Sequence, residues 1–77
     1  MTAGELMEVT DKHQHVMIGT KKQLDKNDSA LAGTVEDVLA FPDEIKNPVL
    51  EKEVVNIAHG EFIAKSYWTV ITIKEEP

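Results

Sequence analysis

The segment Phe62–Lys74 constrains the fold most. Its centre, Tyr67-Trp68-Thr69-Val70-Ile71-Thr72-Ile73, is dense in β-branched and aromatic residues, and no glycine or proline interrupts it. Alternation puts Phe62, Ala64, Ser66, Trp68, Val70 and Thr72 on one face of a strand. Ile63, Lys65, Tyr67, Thr69, Ile71 and Ile73 fall on the other. Both faces are largely apolar, which a strand with one face in water does not show. The strand is therefore central and covered on both sides, or one of its faces meets a partner.

The other blocks read less uniquely. His15-Val16-Met17-Ile18, ended by Gly19, predicts a strand, and Leu6, Met7 and Val9 a short one before it. The polar stretch Lys21–Ser29 predicts a loop. Across Ala30–Phe41, Leu31, Val35, Val38 and Leu39 share one helical face, and Thr34 with Asp37 resembles a capping box. Phe41-Pro42 ends that helix, because a residue before proline avoids the helical region. Asn47–Gly60 supports two readings. Asn47 as N-cap, Pro48 in the first turn and Gly60 after the last favour a helix, with Leu50, Val54, Ile57 and Ala58 on one face. The β-branched Val54, Val55 and Ile57 favour a strand, Glu53–Ala58, turning at His59-Gly60-Glu61. The expected fold is a small α+β domain with one or two helices on a short antiparallel sheet. The alternative is an all-β barrel of SH3-like size.

With 77 residues the chain is one domain, 1–77, with loose ends expected at 1–4 and 75–77. A chain this short buries about 60% of the surface that its unfolded form exposes. Its stability should be roughly 4–12 kcal/mol. It contains no cysteine, so disulfides, thiolate metal sites and cysteine nucleophiles are all excluded. Met1–Glu5 has no basic or apolar leader pattern, and no apolar run approaches the ~20 residues of a membrane span. A cytoplasmic protein with no membrane partner is the expectation.

Fourteen acids face eight lysines, with no arginine, for a net charge of −6. Nucleic-acid binding draws on lysine and arginine to neutralise phosphates, so direct contact with nucleic acid is disfavoured. The acids concentrate between Glu36 and Glu61, where seven stand against Lys46 and Lys52. Gathered on one face, they would attract a basic partner.

Few residues suggest chemistry. His13 and His15 are spaced to share a strand face, and His59 and Glu61 repeat that spacing, so a His/Glu metal site is one reading. Ser29 and Ser66 lie in no nucleophile-elbow pattern, and Gly4, Gly19, Gly33 and Gly60 are too dispersed for a phosphate loop. The expectation is a non-enzymatic protein with no cofactor. Tyr67 and Trp68 are neighbours in a strand and point to opposite faces, so one is exposed unless both faces are covered. Exposed aromatics commonly anchor interfaces. The functional expectation is a protein-binding or assembly module, an accessory or inhibitory protein acting on a basic partner, with Tyr67, Trp68, Ile71, Glu51 and Glu53 as contact residues. Its alternatives are a homo-oligomeric subunit built on the C-terminal strand, and the small metal-binding protein.

Overall fold

The computed structural model of the chain describes residues 1–61 and 67–75. The elements run α1 (Ala3–Val9), β1 (His15–Thr20), α2 (Lys21–Asp25), β2 (Leu31–Thr34), α3 (Val35–Ala40), α4 (Asp43–Leu50), β3 (Val54–Glu61) and β4 (Tyr67–Ile73). The fold is α+β, and the barrel alternative is set aside. The four strands form one sheet in the order β2-β1-β4-β3. The sheet is mixed rather than antiparallel throughout, because β1 and β4 run parallel at its centre, Val16 beside Thr69 and Ile18 beside Ile71. The outer pairs, β1 with β2 and β3 with β4, are antiparallel.

β4 lies at the centre of the sheet, between β1 and β3, and the helices cover one of its faces. Register places Val16, Ile18, Ile71 and Ile73 on the face that the helices cover, where they meet Ala3 and Met7 of α1, Val35 and Val38 of α3, and Leu50 of α4. Met7, Val16, Ile18, Val35, Val38 and Ile71 are the largest fully buried side chains. Each contributes roughly 1.5–3 kcal/mol by leaving water. The opposite face carries His15, Met17, Trp68 and Val70. On that face Trp68 is buried beside His15, the two rings 4.9 Å apart and tilted by 49°.

Three helices start on the same device. Thr2, Thr20 and Thr34 each cap with the hydroxyl, while Glu5, Gln23 and Asp37 reach back to the backbone N–H of the capping threonine. The box at Thr34 starts α3 as expected, and Phe41-Pro42 ends it. Several local expectations are corrected. Leu6 and Met7 lie in a helix, because the Thr2–Glu5 box nucleates one. Lys21–Asp25 is a helical turn on the Thr20 cap, and Leu31 belongs to β2, with α3 starting only at Val35.

The helix reading of Asn47–Gly60 is also corrected. α4 starts after Pro42 and ends at Leu50, with Pro48 inside it. Lys46 holds the start of α4, donating from Nζ to the Leu39 carbonyl at 2.8 Å and lying 3.6 Å from Asp43. Glu51 N–H still closes onto the Asn47 carbonyl at 3.0 Å, so the proline costs its own hydrogen bond without ending the helix. Val54–Glu61 is a strand because pairing with β4 satisfies its backbone, and it runs straight through His59-Gly60 without turning there.

Thr2 and Ala3, within the segment expected to be loose, are tied to the sheet. Thr2 bridges to Glu53, Ala3 N–H donates to the Lys52 carbonyl at 2.9 Å, and Val54 N–H donates to the Met1 carbonyl at 2.9 Å. The Phe62–Ser66 part of the C-terminal strand expectation and residues 76–77 lie outside the described residues.

Candidate functional site

The sheet has two outer strands, and they differ. β2 has four residues and passes directly into α3 at Thr34. β3 has eight residues, and from Val54 to Gly60 it contains no charged residue and no proline. Among the described residues its outer edge is occupied only at the start, where Met1–Ala3 lie against Lys52–Val54. From Val55 onward no strand pairs with that edge among the described residues. Proteins usually blunt such an edge with charges, proline or a bulge. β3 has one register irregularity, between Val54 and Asn56, and none beyond it.

Hydrogen-bond alternation fixes which residues face outward. Lys74 N–H donates to the Glu53 carbonyl at 2.9 Å, and Val54 N–H turns the other way to Met1. After the irregularity Asn56, Ala58 and Gly60 stand opposite Thr72, Val70 and Trp68, two, four and six positions back from Lys74 along β4. In an antiparallel ladder those alternate residues exchange the inward bonds. The N–H and C=O groups of Ile57 and His59 therefore point away from the sheet.

A groove of about 460 Å³ runs beside this edge, between the end of α1 and the ends of β3 and β4. Leu6, Val9, Ile57, His59, Tyr67 and Thr69 line it. Register puts Ile57 and His59 on the helix-covered face with Ile71 and Thr69, but α1 ends at Val9 and leaves them open. Val9 is 76% exposed, Tyr67 59% and Ile57 42%. The His59 and Tyr67 rings stack 6.0 Å apart, inclined by 12°. His59 Nδ1 and the Thr69 hydroxyl lie 3.2 Å apart in a hydrogen bond. The Gln14 side-chain amide donates to the Tyr67 carbonyl at 3.2 Å, tying the start of β4 to the start of β1. The site thus combines free backbone groups with a shallow apolar trough and two aromatic rings. Asp11 and Gln14 also line the trough.

The residues singled out in the sequence are dispersed. Tyr67 is the exposed aromatic, while Trp68 is 8% exposed on the other face, with no acceptor for its indole N–H among the described residues. Ile71 is buried in the core and offers a partner no surface, which corrects its place among the contact residues. Glu51 and Glu53 are exposed between α4 and β3. Glu36 and Asp37 start α3 and Asp43 and Glu44 start α4, where acidic side chains complement the helix dipole. His15 and His59 stand on opposite faces of the sheet, and His13 is exposed before β1. Among the described residues no group of three or more His, Asp or Glu is placed to hold an ion. The Glu61 side chain lies outside the description. Val9, Val55 and Ile57 were missed by sequence reasoning. The signal available was the seven-residue run Val54–Gly60 without charge or proline.

Among the described residues no helix is long and apolar enough to cross a membrane. No protein-family model, no curated protein and no solved structure matches the chain.

Proposed function

We propose that this protein is a protein-binding module that takes an extended segment of another chain onto the outer edge of β3. The observation that carries the reading is the edge itself, unpaired from Val55 among the described residues and uncharged from Val54 to Gly60. Strand addition supplies main-chain hydrogen bonds, and pockets for alternate side chains supply selectivity. The trough at Ile57, His59 and Tyr67 is such a pocket. In this reading the acidic residues of α3 and α4 serve their helix starts, and contact runs through β3.

The test places a photo-activatable cross-linking residue at position 57 in cells that express the chain, with the same residue at Lys22 as control. Position 57 is expected to yield a discrete adduct that the control lacks. An adduct pattern no stronger at 57 than at Lys22 would remove the proposal.

A further inference from the structure

We infer that the segment received by β3 carries an arginine opposite His59 and an aliphatic residue two positions away, opposite Ile57. The inference rests on the docking reading above and names the chemistry of the partner. Side chains of an added strand that stand opposite Ile57 and His59 share the helix-covered face, so they project over the trough. Whether the segment runs parallel or antiparallel to β3 changes only the order of the two.

The trough has two unlike parts. Leu6, Val9 and Ile57 form the apolar part, and an aliphatic side chain laid there leaves water against all three. Asp11 belongs to the other. Its carbonyl accepts the Gln14 N–H at 3.0 Å, and the Gln14 side-chain amide donates to the Tyr67 carbonyl at 3.2 Å. These two bonds set Asp11 at the end of the trough where the Tyr67 and His59 rings stack.

The Asp11 carboxylate selects the charge of the arriving side chain. Among the described residues it is the one acid lining the trough, and no lysine lines it. Its Oδ1 accepts the His13 N–H at 2.8 Å, which holds the group in place, and it makes no ion pair among the described residues. The net charge of −6 favours the approach of a cation. Beside the carboxylate, the exposed Tyr67 offers the face of an aromatic ring. A guanidinium uses both at once, because it lies flat on a ring and forks onto a carboxylate, whereas an ammonium is a point charge without that fork. An acidic side chain at the same place would face Asp11 with like charge.

Random short peptides displayed on phage and selected on the full chain test the inference. Selected sequences are expected to carry arginine two positions from valine, isoleucine or leucine. In fluorescence anisotropy, replacing that arginine by citrulline, its uncharged isostere, is expected to weaken binding about tenfold on the unsubstituted chain. On Asp11→Asn, which keeps an acceptor for the His13 N–H, the loss is expected to fall to about twofold. Glu44→Gln removes an exposed charge that does not line the trough and is expected to keep the full preference. If circular dichroism shows Asp11→Asn unfolded, Tyr67→Leu takes its place and is expected to lower the preference. Equal binding of the arginine and citrulline peptides overturns the inference, as does a preference that Glu44→Gln lowers as much as Asp11→Asn. Amide exchange separates it from the docking reading. Selected peptides that lack arginine yet protect the Ile57 and His59 amides leave docking standing and remove the arginine. A selection that yields no peptide protecting those amides removes both.

Discussion

Gly33→Ala should be among the most damaging single-methyl additions in this protein. Gly33 has φ +134, a region L side chains rarely adopt, and it stands opposite Val16 on the helix-covered face. A residue held there costs about 1–3 kcal/mol in backbone strain. A Cβ at this position would lie 3.2 Å from Asp37 Cβ and 3.3 Å from its Oδ2. Asp37 cannot retreat freely, because its carboxylate accepts the Thr34 N–H at 3.3 Å while its own N–H donates to the Thr34 hydroxyl at 3.1 Å. Loosening that cap costs a further ~0.5–2 kcal/mol. The sum, about 1.5–5 kcal/mol, is a large share of a total near 4–12 kcal/mol. It corresponds to a fall in Tm of roughly 6–40 °C. Urea unfolding followed by circular dichroism reads the change directly, with an unaltered slope if only the folded state is affected. A double-mutant cycle separates the causes. Asp37→Gly removes both contacting atoms, so in that background Gly33→Ala should cost about 1 kcal/mol less, leaving the strain of the backbone alone. A Gly33→Ala protein within ~0.5 kcal/mol of the parent would refute the reasoning.

Three further outcomes are expected. Ile71→Ala, at a fully buried site between β1 and β3, should cost about 2–5 kcal/mol in the same urea assay, and a loss below ~1 kcal/mol would mean that the core collapses around the gap. The Thr2 backbone N–H, then the Thr2 hydroxyl, hold the Glu5 carboxyl below its ordinary value of 4.5. Its contribution to stability is therefore complete above that value and is lost as pH falls through the lowered one. The stability gap between the parent and Glu5→Gln should close as urea titrations move from pH 6 to acid, and a gap independent of pH would contradict the assignment. In dilute solution the Ile57 and His59 amides should exchange with deuterium faster than those of Asn56, Ala58 and Gly60, and equal protection along β3 would mean that its edge is covered.

Legibility in the sequence followed the range of each interaction. The cap at Thr34 and the stop at Phe41-Pro42 act within a few residues, and both could be read directly. The same three-residue spacing joins Thr2 to Glu5 and Thr20 to Gln23, so the starts of α1 and α2 were equally present in the chain. There the short apolar run Leu6–Val9 and the polarity of Lys21–Ser29 drew attention away from the caps. At Asn47-Pro48 local signals pointed the wrong way, because Lys46 fastens α4 to the end of α3 and the helix accommodates the proline. β3 depended on β4, a partner whose pull no window of residues contains. The same holds for the candidate site. An uncharged run from Val54 to Gly60 can be seen in the sequence, but only strand order shows that it forms an edge and that Tyr67 and His59 stack beside it. The apolar composition of Tyr67–Ile73 pointed to a central strand, which β4 is, but among the described residues the helices cover only one of its two faces.

The parallel pairing of β1 with β4 also governs how the chain reaches its folded state. Val16 lies beside Thr69, so the middle of the sheet closes over 69 − 16 = 53 positions of a 77-residue chain. The helical turns and the β1–β2 and β3–β4 pairs are local and can form early, on microsecond timescales. The central pairing must bear the entropy of closing that long loop before burial rewards it. Folding is therefore slow for so short a chain, and the docking of the β3–β4 pair onto β1 comes last. Until then, β1 and β4 both stand with open edges towards each other, and the apolar side chains of β4 are in water. The interval before closure, more than the folded state, is when this chain is most exposed to pairing with the wrong neighbour.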